Sequence, residues 1–176
     1  IIKEIVEKFF NKKPLQTVNV DEVVALGASL YAAYKSDQSE LNPVQRSEIS
    51  KLTVGESSGQ YYGTTALVEK EGGTRIIENA ILINKGQKIP CSKTESFYTI
   101  ADGQVKVNCD VTESGRKETD PEYVNTIWDG NLDLPSGRPK GQEIKVTFGY
   151  DDNQIMNCSF IDVATGDKKE IKLTLQ

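Results

Sequence analysis

From about residue 52 onward the chain reads almost entirely as strands and turns, and this limits the possible folds more than any other feature. Short runs of alternating apolar and polar residues are separated by turn-forming residues, the period-two signature of half-buried strands. EIKVTFGY sets Ile144, Val146, Phe148 and Tyr150 on one face. QVKVNCDV sets Val105, Val107, Cys109 and Val111 against Lys106, Asn108 and Asp110, which predicts one buried and one wet face. QYYGTTALV and IIENAILI flank the turn-like EKEGGT, while TESFYTIA and QVKVNCDV flank Asp102 and Gly103, a dipeptide that favours a tight hairpin. A long irregular stretch follows, with one short strand expected near residues 124–128. Turns at 151–153 and at ATGDKK then join EIKVTFGY, QIMNCSFIDV and EIKLTL, the last with Ile171, Leu173 and Leu175 on one side. Seven or eight such strands predict a mainly β chain built as an antiparallel β-sandwich.

The front of the chain reads differently. IIKEIVEKFF places Ile2, Val6 and Phe9 on one helical face, with Asn11 and Pro14 as stop signals. A second helix follows in NVDEVVALGASLYAAYK, with Asn19 as the expected N-cap and Glu22 completing a capping box. Val23, Leu26, Leu30 and Tyr34 form one stripe, and Val24, Ala28 and Tyr31 form another. A helix that is apolar most of the way round belongs inside a larger body. Two helices of this size cannot cover one another, so residues 1–36 read as the end of a domain whose body lies elsewhere. The opening Ile1-Ile2, without a Met, fits a portion of something longer. Residues 37–52, polar and without periodicity, read as a linker, and residues 53–176 as the β-sandwich domain.

Composition removes several function classes. Of 176 residues, 37% are hydrophobic, enough for a packed core without staples. The net charge of -5 opposes a nucleic-acid surface, which needs a basic stripe to displace counterions. No apolar run approaches the roughly 18 residues of a membrane span, and no signal-peptide pattern opens the chain. There is no His, so Ser-His and Cys-His catalysis are out, and a zinc site lacks its usual ligands. The three cysteines, Cys91, Cys109 and Cys158, are widely spaced and read as reduced, packed thiols of a cytoplasmic protein. The 26 carboxylates are scattered, with no evident acid/base couple.

Three ordered blocks resemble the heat-shock 70 kDa (DnaK) chaperone family. VNVDEVVALGASLYAAY is similar to the last helix of the family's ATPase domain, with Val20 where the family has Pro. KIPCSKTESFYTIADGQVKVNCDV and IKVTFGYDDNQIMNCSFIDVATGDKKEIKL are similar to two stretches of its peptide-binding β-sandwich. The resemblance implies that residues 1–36 are the C-terminal helices of a nucleotide-binding domain, that 37–52 is the interdomain linker, and that the helical lid is absent. It also implies a non-enzymatic fragment: ATP and Mg belong to the parent, and no cofactor to this chain. The implied partners are extended hydrophobic peptides of unfolded proteins and, for the parent, J-domain co-chaperones. The apolar helices add self-association, through themselves or through the peptide channel.

The same resemblance assigns a site. Val107 matches the family's pocket-floor valine and Phe97 its pocket phenylalanine; Cys109 sits where an isoleucine is usual. Ile144 matches a lining isoleucine, with Val146 next on that face. Gly63 matches a strand glycine, which puts Thr64 in the pocket wall and Leu67 at one half of an arch over the peptide; Ile100 stands at the other half. On residue type alone, Val107, Phe97, Ile144 and Cys109 read equally well as core residues of apolar strand faces. Departures from the family are visible too. SEISKLTV is a poor copy of its apolar linker, and the loop VEKEGGTRIIEN is longer than the family's. A bulky Ile100 replaces a small residue. These departures motivate the alternative of a closed docking or structural module, in which Leu67 and Ile100 pack inward.

Overall fold

The computed structural model describes residues 2–14, 19, 21–52 and 54–175. Expectations resting on Ile1, Val20, Thr53 or Gln176 lie outside the described residues. The chain divides into two compact units, residues 1–54 and 55–176.

The first unit is helical. Helix α1 (Ile2–Phe10) ends where Asn11 takes a positive φ of 50°. Helix α2 (Val23–Lys35) starts later than the sequence suggests, and the expected Asn19–Glu22 capping box is not its cap. The Asn19 side chain accepts instead from the Asp21 amide at 3.1 Å, and its carbonyl accepts from the amides of Glu22 and Val23. Asn19 therefore organises a turn that leads into the helix, and Glu22 stands at the N-cap position without a side-chain bond. Both apolar stripes of α2 are largely exposed, with Val24 at 79% and Leu26 and Leu30 at 51%. The stretch read as a linker is not extended. A short 3₁₀ turn (Gln38–Glu40) leads into α3 (Pro43–Ile49). Asn42 and Gln45 form a reciprocal capping box at 2.9 and 3.0 Å, and Pro43 occupies the first helical position, where its missing N–H has no partner to lose.

The second unit holds two four-stranded antiparallel sheets and a two-stranded one, among the described residues. The small sheet pairs β1 (Glu56–Ser57) with β4 (Lys88–Ile89). One large sheet has the order β3-β2-β6-β7, made of β2 (Tyr61–Glu69), β3 (Arg75–Ile83), β6 (Lys106–Ser114) and β7 (Asn125–Asp133). The other has the order β10-β9-β8-β5, made of β5 (Cys91–Tyr98), β8 (Glu143–Tyr150), β9 (Ile155–Asp162) and β10 (Lys168–Thr174). Strand β7 is longer than the short strand expected within the irregular stretch.

Alternation holds best in β8 and β9. Ile144, Val146, Phe148 and Tyr150 are buried, as are Met156, Cys158 and Phe160. Phe148 and Phe160 meet edge to face at 6.3 Å, and Trp128 stacks on Phe160 at 6.2 Å. Strand β6 breaks its alternation. Asp110, expected in water, is 4% exposed, and Val105, expected inside, lies just before the strand and is 48% exposed.

The expected β5–β6 hairpin does not form. Strand β5 pairs with β8, and β6 pairs with β2 and β7. The Asp102-Gly103 turn exists, with Gly103 at φ 69°, but it carries the chain from one sheet to the other. A turn dipeptide supplies the backbone conformation for reversal without specifying that the flanking strands pair.

Strand β2 carries a bulge between Tyr62 and Gly63. A Cβ at position 63 would lie 2.4 Å from the Ala80 carbonyl oxygen and 2.8 Å from Asn79 Oδ1. Gly63→Ala is therefore expected to destabilise the β unit by about 1–3 kcal/mol, as overpacking does. Gly59→Ala, with nothing within 4 Å of the added atom, serves as its control. Urea unfolding of both checks this; equal midpoints would refute the close-approach account.

Candidate functional site

Strands β2 and β6 begin as neighbours and then part. They pair only where Tyr61, Tyr62 and Gly63 face Ser114, Glu113 and Thr112. Past the Gly63 bulge, β2 continues to Glu69 beside β3 alone. The opening is filled by the Asp110 carboxylate. It accepts from the Thr64 hydroxyl at 2.6 Å, the Thr65 amide at 2.8 Å and the Thr65 hydroxyl at 2.6 Å. A side chain thus replaces the ladder at the point of divergence and satisfies the Thr65 donor, which would otherwise be orphaned. Because the Thr65 amide points toward β6, strand alternation points the Leu67 backbone groups the same way, into the gap.

Beyond Asp110 the gap widens into a cavity of about 260 Å³. Its floor comes from the opposite sheet: Ile144 and Val146 of β8 and Phe160 of β9, each buried. Half-buried Phe97 and Val107 also line it, as does the buried Thr64. At the rim stand Leu67 (37% exposed) and Ile100 (41% exposed). The structure therefore gathers seven of the expected residues in one groove: Thr64, Leu67, Phe97, Ile100, Val107, Ile144 and Val146. Cys109 is not among them. It is fully buried in the core, where its thiol lies 3.6 Å from the Val107 carbonyl, and burial pushes that thiol up to about 11. It shares a face with Val107, but it lies two residues nearer the closed end of the β2–β6 split.

Several lining residues were not legible from sequence. Ile77 faces Leu67 across the β2–β3 ladder and extends the apolar wall. Tyr98 lines both this cavity and a second hollow of about 590 Å³, which shares Leu67, Phe97 and Ile100. Phe160 had a usable signal, since it alternates with Met156 and Cys158 along β9. Gln104 and Asn108 add polar lining that only the tertiary structure places there.

Ile100 rides on the crossover loop, and that loop is tied to its neighbour, residues 138–142. Thr99 donates its amide to the Gln142 carbonyl at 3.0 Å and accepts from Gly141 at 2.8 Å. Gly103 donates to the Arg138 carbonyl at 2.7 Å, and Lys140 donates its amide to Asp102 at 2.8 Å. The Arg138 guanidinium grips the fully buried Asp162 through both Nη atoms, the Nη2 bond measuring 3.0 Å, and its Nε donates to Gln142 Oε1 at 3.1 Å. Asp162 also accepts from the Ala164 amide and the Thr165 hydroxyl. The Arg138 bond is the main reason its carboxyl lies below the ordinary 3.8, with Thr165 and Ala164 assisting against a burial effect of opposite sign. The groove is thus an apolar slot with free strand edges and a braced rim, suited to holding an extended chain. Among the described residues, no group of three or more His, Cys, Asp or Glu could hold a metal. No helix there is long and apolar enough to cross a membrane.

Comparison with known proteins gives one consistent result. The family model described as Hsp70 protein matches residues 1–176. The chain is 34% identical to a protein named chaperone protein dnaK from Guillardia theta, over 98% of this chain and 25% of the relative. It is 32% identical to the stromal 70 kDa heat shock-related protein, chloroplastic, of Pisum sativum, over 98% of the chain and 22% of that protein. It is 31% identical to heat shock 70 kDa protein 6, chloroplastic, of Arabidopsis thaliana, over 98% and 21% respectively. The chain therefore spans a quarter or less of the length of these relatives.

The Asp162 pairing has a pH signature. A carboxyl whose folded pKa is depressed stabilises the fold fully above its unfolded value, and the contribution is lost as pH falls through the folded value. Asp162→Asn should therefore unfold more easily than the parent chain at neutral pH, with the gap narrowing only below the ordinary carboxyl value of 3.8. Urea unfolding from neutral pH down into that range measures this; a gap independent of pH would refute it.

Proposed function

Because the chain belongs to the Hsp70 protein family, we propose that its β unit binds extended apolar segments of unfolded polypeptides, as the substrate-binding part of a chaperone. The observation that carries this reading is the groove opened where β2 leaves β6, with an apolar floor and two exposed apolar rim residues, Leu67 and Ile100. An extended peptide offers backbone N–H and C=O groups that free strand edges can pair, in the manner of an added strand. One apolar side chain then enters the slot between Phe97, Val107, Ile144 and Val146. Its burial contributes roughly 1.5–3 kcal/mol. The main chain is common to all substrates, so recognition is broad and the anchor side chain sets the preference.

The rival reading is a closed docking or structural module. It requires Leu67 and Ile100 to pack into the sandwich, and their exposure of 37% and 41% weighs against it.

In this proposal, nucleotide control by ATP and Mg belongs to the longer parent. The exposed apolar stripes of α2 are the proposed contact for the rest of that parent, or for a second copy. J-domain co-chaperones are proposed as partners of the parent only. The free cysteines support a reducing, cytoplasmic setting; two of the relatives carry chloroplast names, which adds the stroma as a second setting to test.

Fluorescence anisotropy with a labelled, leucine-centred heptapeptide tests the function. Saturable binding is expected, weakened by about tenfold (~1.4 kcal/mol) or more in Val107→Phe, which fills the slot. Absence of saturable binding, or a Kd indifferent to Val107→Phe, would sink the proposal.

A further inference from the structure

We infer that Arg138 and Asp162 are positioning residues for the groove: together they hold Ile100 at the rim and so set how long a bound peptide stays. The inference rests on the peptide-groove reading above. Neither side chain lines the cavity, so their action runs through the backbone.

The chain of contacts is continuous. Asp162 ends β9, a strand of the floor sheet, and its carboxylate is fully buried. Arg138 reaches it with both Nη atoms and sends Nε to Gln142 Oε1. The guanidinium therefore pins both ends of the 138–142 loop to the floor sheet. That loop holds the crossover loop by five further bonds, one of them from the Thr99 amide to the Gln142 carbonyl. The Arg138 carbonyl accepts from Gly103, the Lys140 amide donates to Asp102, Gly141 donates to the Thr99 carbonyl, and the Gln142 amide donates to Thr99 Oγ1 at 2.9 Å. Within the crossover loop, the Ile100 amide donates to Gln104 Oε1 at 3.0 Å, and Gln104 Nε2 donates to the Lys106 carbonyl at 2.9 Å, which ties the loop back to β6. Ile100 is thus placed between two anchors: the floor sheet through Arg138, and the wall strand through Gln104.

Chemistry favours a positioning role over a purely stabilising one. A buried ion pair can often be replaced by apolar residues of the same shape without loss of stability. What the guanidinium supplies is geometry, a planar fork that fixes a carboxylate and an amide oxygen at once. A lysine keeps the charge and loses the fork. An exposed apolar rim residue gates exit from the groove only if its loop is held, because a loop free to open lets the peptide leave.

The test measures peptide dissociation by stopped flow with the labelled heptapeptide, at a temperature where every variant is folded by circular dichroism. Arg138→Met is expected to raise the off-rate about tenfold or more, with Arg138→Lys between it and the parent chain. Met156→Ala, a core truncation at the opposite end of β9 from Asp162, is the control: it should lower the melting temperature and leave the off-rate within about twofold. Asp102→Ala removes one exposed tie only and should raise the off-rate to a smaller extent, which keeps the test usable if Arg138→Met fails to fold. An off-rate unchanged in every rim variant, or raised equally by Met156→Ala, would overturn the positioning role while leaving the groove in place. Loss of saturable binding in the parent chain itself would instead overturn the proposed function, and this inference with it.

Discussion

The groove depends on one carboxylate. Asp110 sits in the middle of a central strand, almost fully buried, where an ionisable side chain is costly unless its lone pairs are used. They are used: two hydroxyls and one amide of Thr64 and Thr65 converge on it. This is what allows β2 to leave β6 without orphaning its backbone. The Gly63 bulge initiates the departure, since only a residue without Cβ can lie so close to the Ala80 carbonyl. Glycine and aspartate act in sequence, one bending the strand and the other closing the gap at its apex. The groove opens beyond that apex.

The opposite sheet supplies the other half. Ile144, Val146 and Phe160 are core residues by burial, and they are also the cavity floor. The two descriptions do not compete, because the core of the sandwich is exposed to the groove only where β2 and β6 have separated. Strand pairing decides where that happens. If β5 and β6 had formed the hairpin that their turn suggests, Ile100 would cap the end of a two-stranded ribbon. The chain instead crosses between sheets at Asp102 and Gly103, which carries Ile100 to the mouth of the groove and brings it beside the 138–142 loop.

The failures of sequence reading share a cause. Residues 37–52 read as a linker by their polarity, and α3 forms there on the local Asn42–Gln45 capping box, which polarity and periodicity do not register. Asn19 offered a similar signal and was credited with a box it does not make, because its side chain found the nearer Asp21 amide. Both errors concern short polar residues with several local partners, among which spacing cannot choose. Asp110 was assigned to water because alternation assumes that the second face of a strand is wet. Here that face is covered by Thr64 and Thr65. Family register places Cys109 in the cavity, and alternation puts it on the face of Val107, but neither gives the depth along that face, and Cys109 lies in the core.

By itself, the sequence determined the mainly β class, nearly all the strands, the first two helices, and seven of the fourteen residues that line the groove, the last through family register rather than through periodicity. These are local properties: the period of two, the turn residues and the order of motifs are all written along a few consecutive positions. The tertiary structure alone decided which strands pair, where β2 and β6 separate, and that Arg138 reaches Asp162 across 24 positions to brace the rim. Those outcomes join residues far apart in the chain. They are selected by the mutual fit of apolar faces and by the need to satisfy every buried polar group at once, a condition that no single stretch of sequence contains.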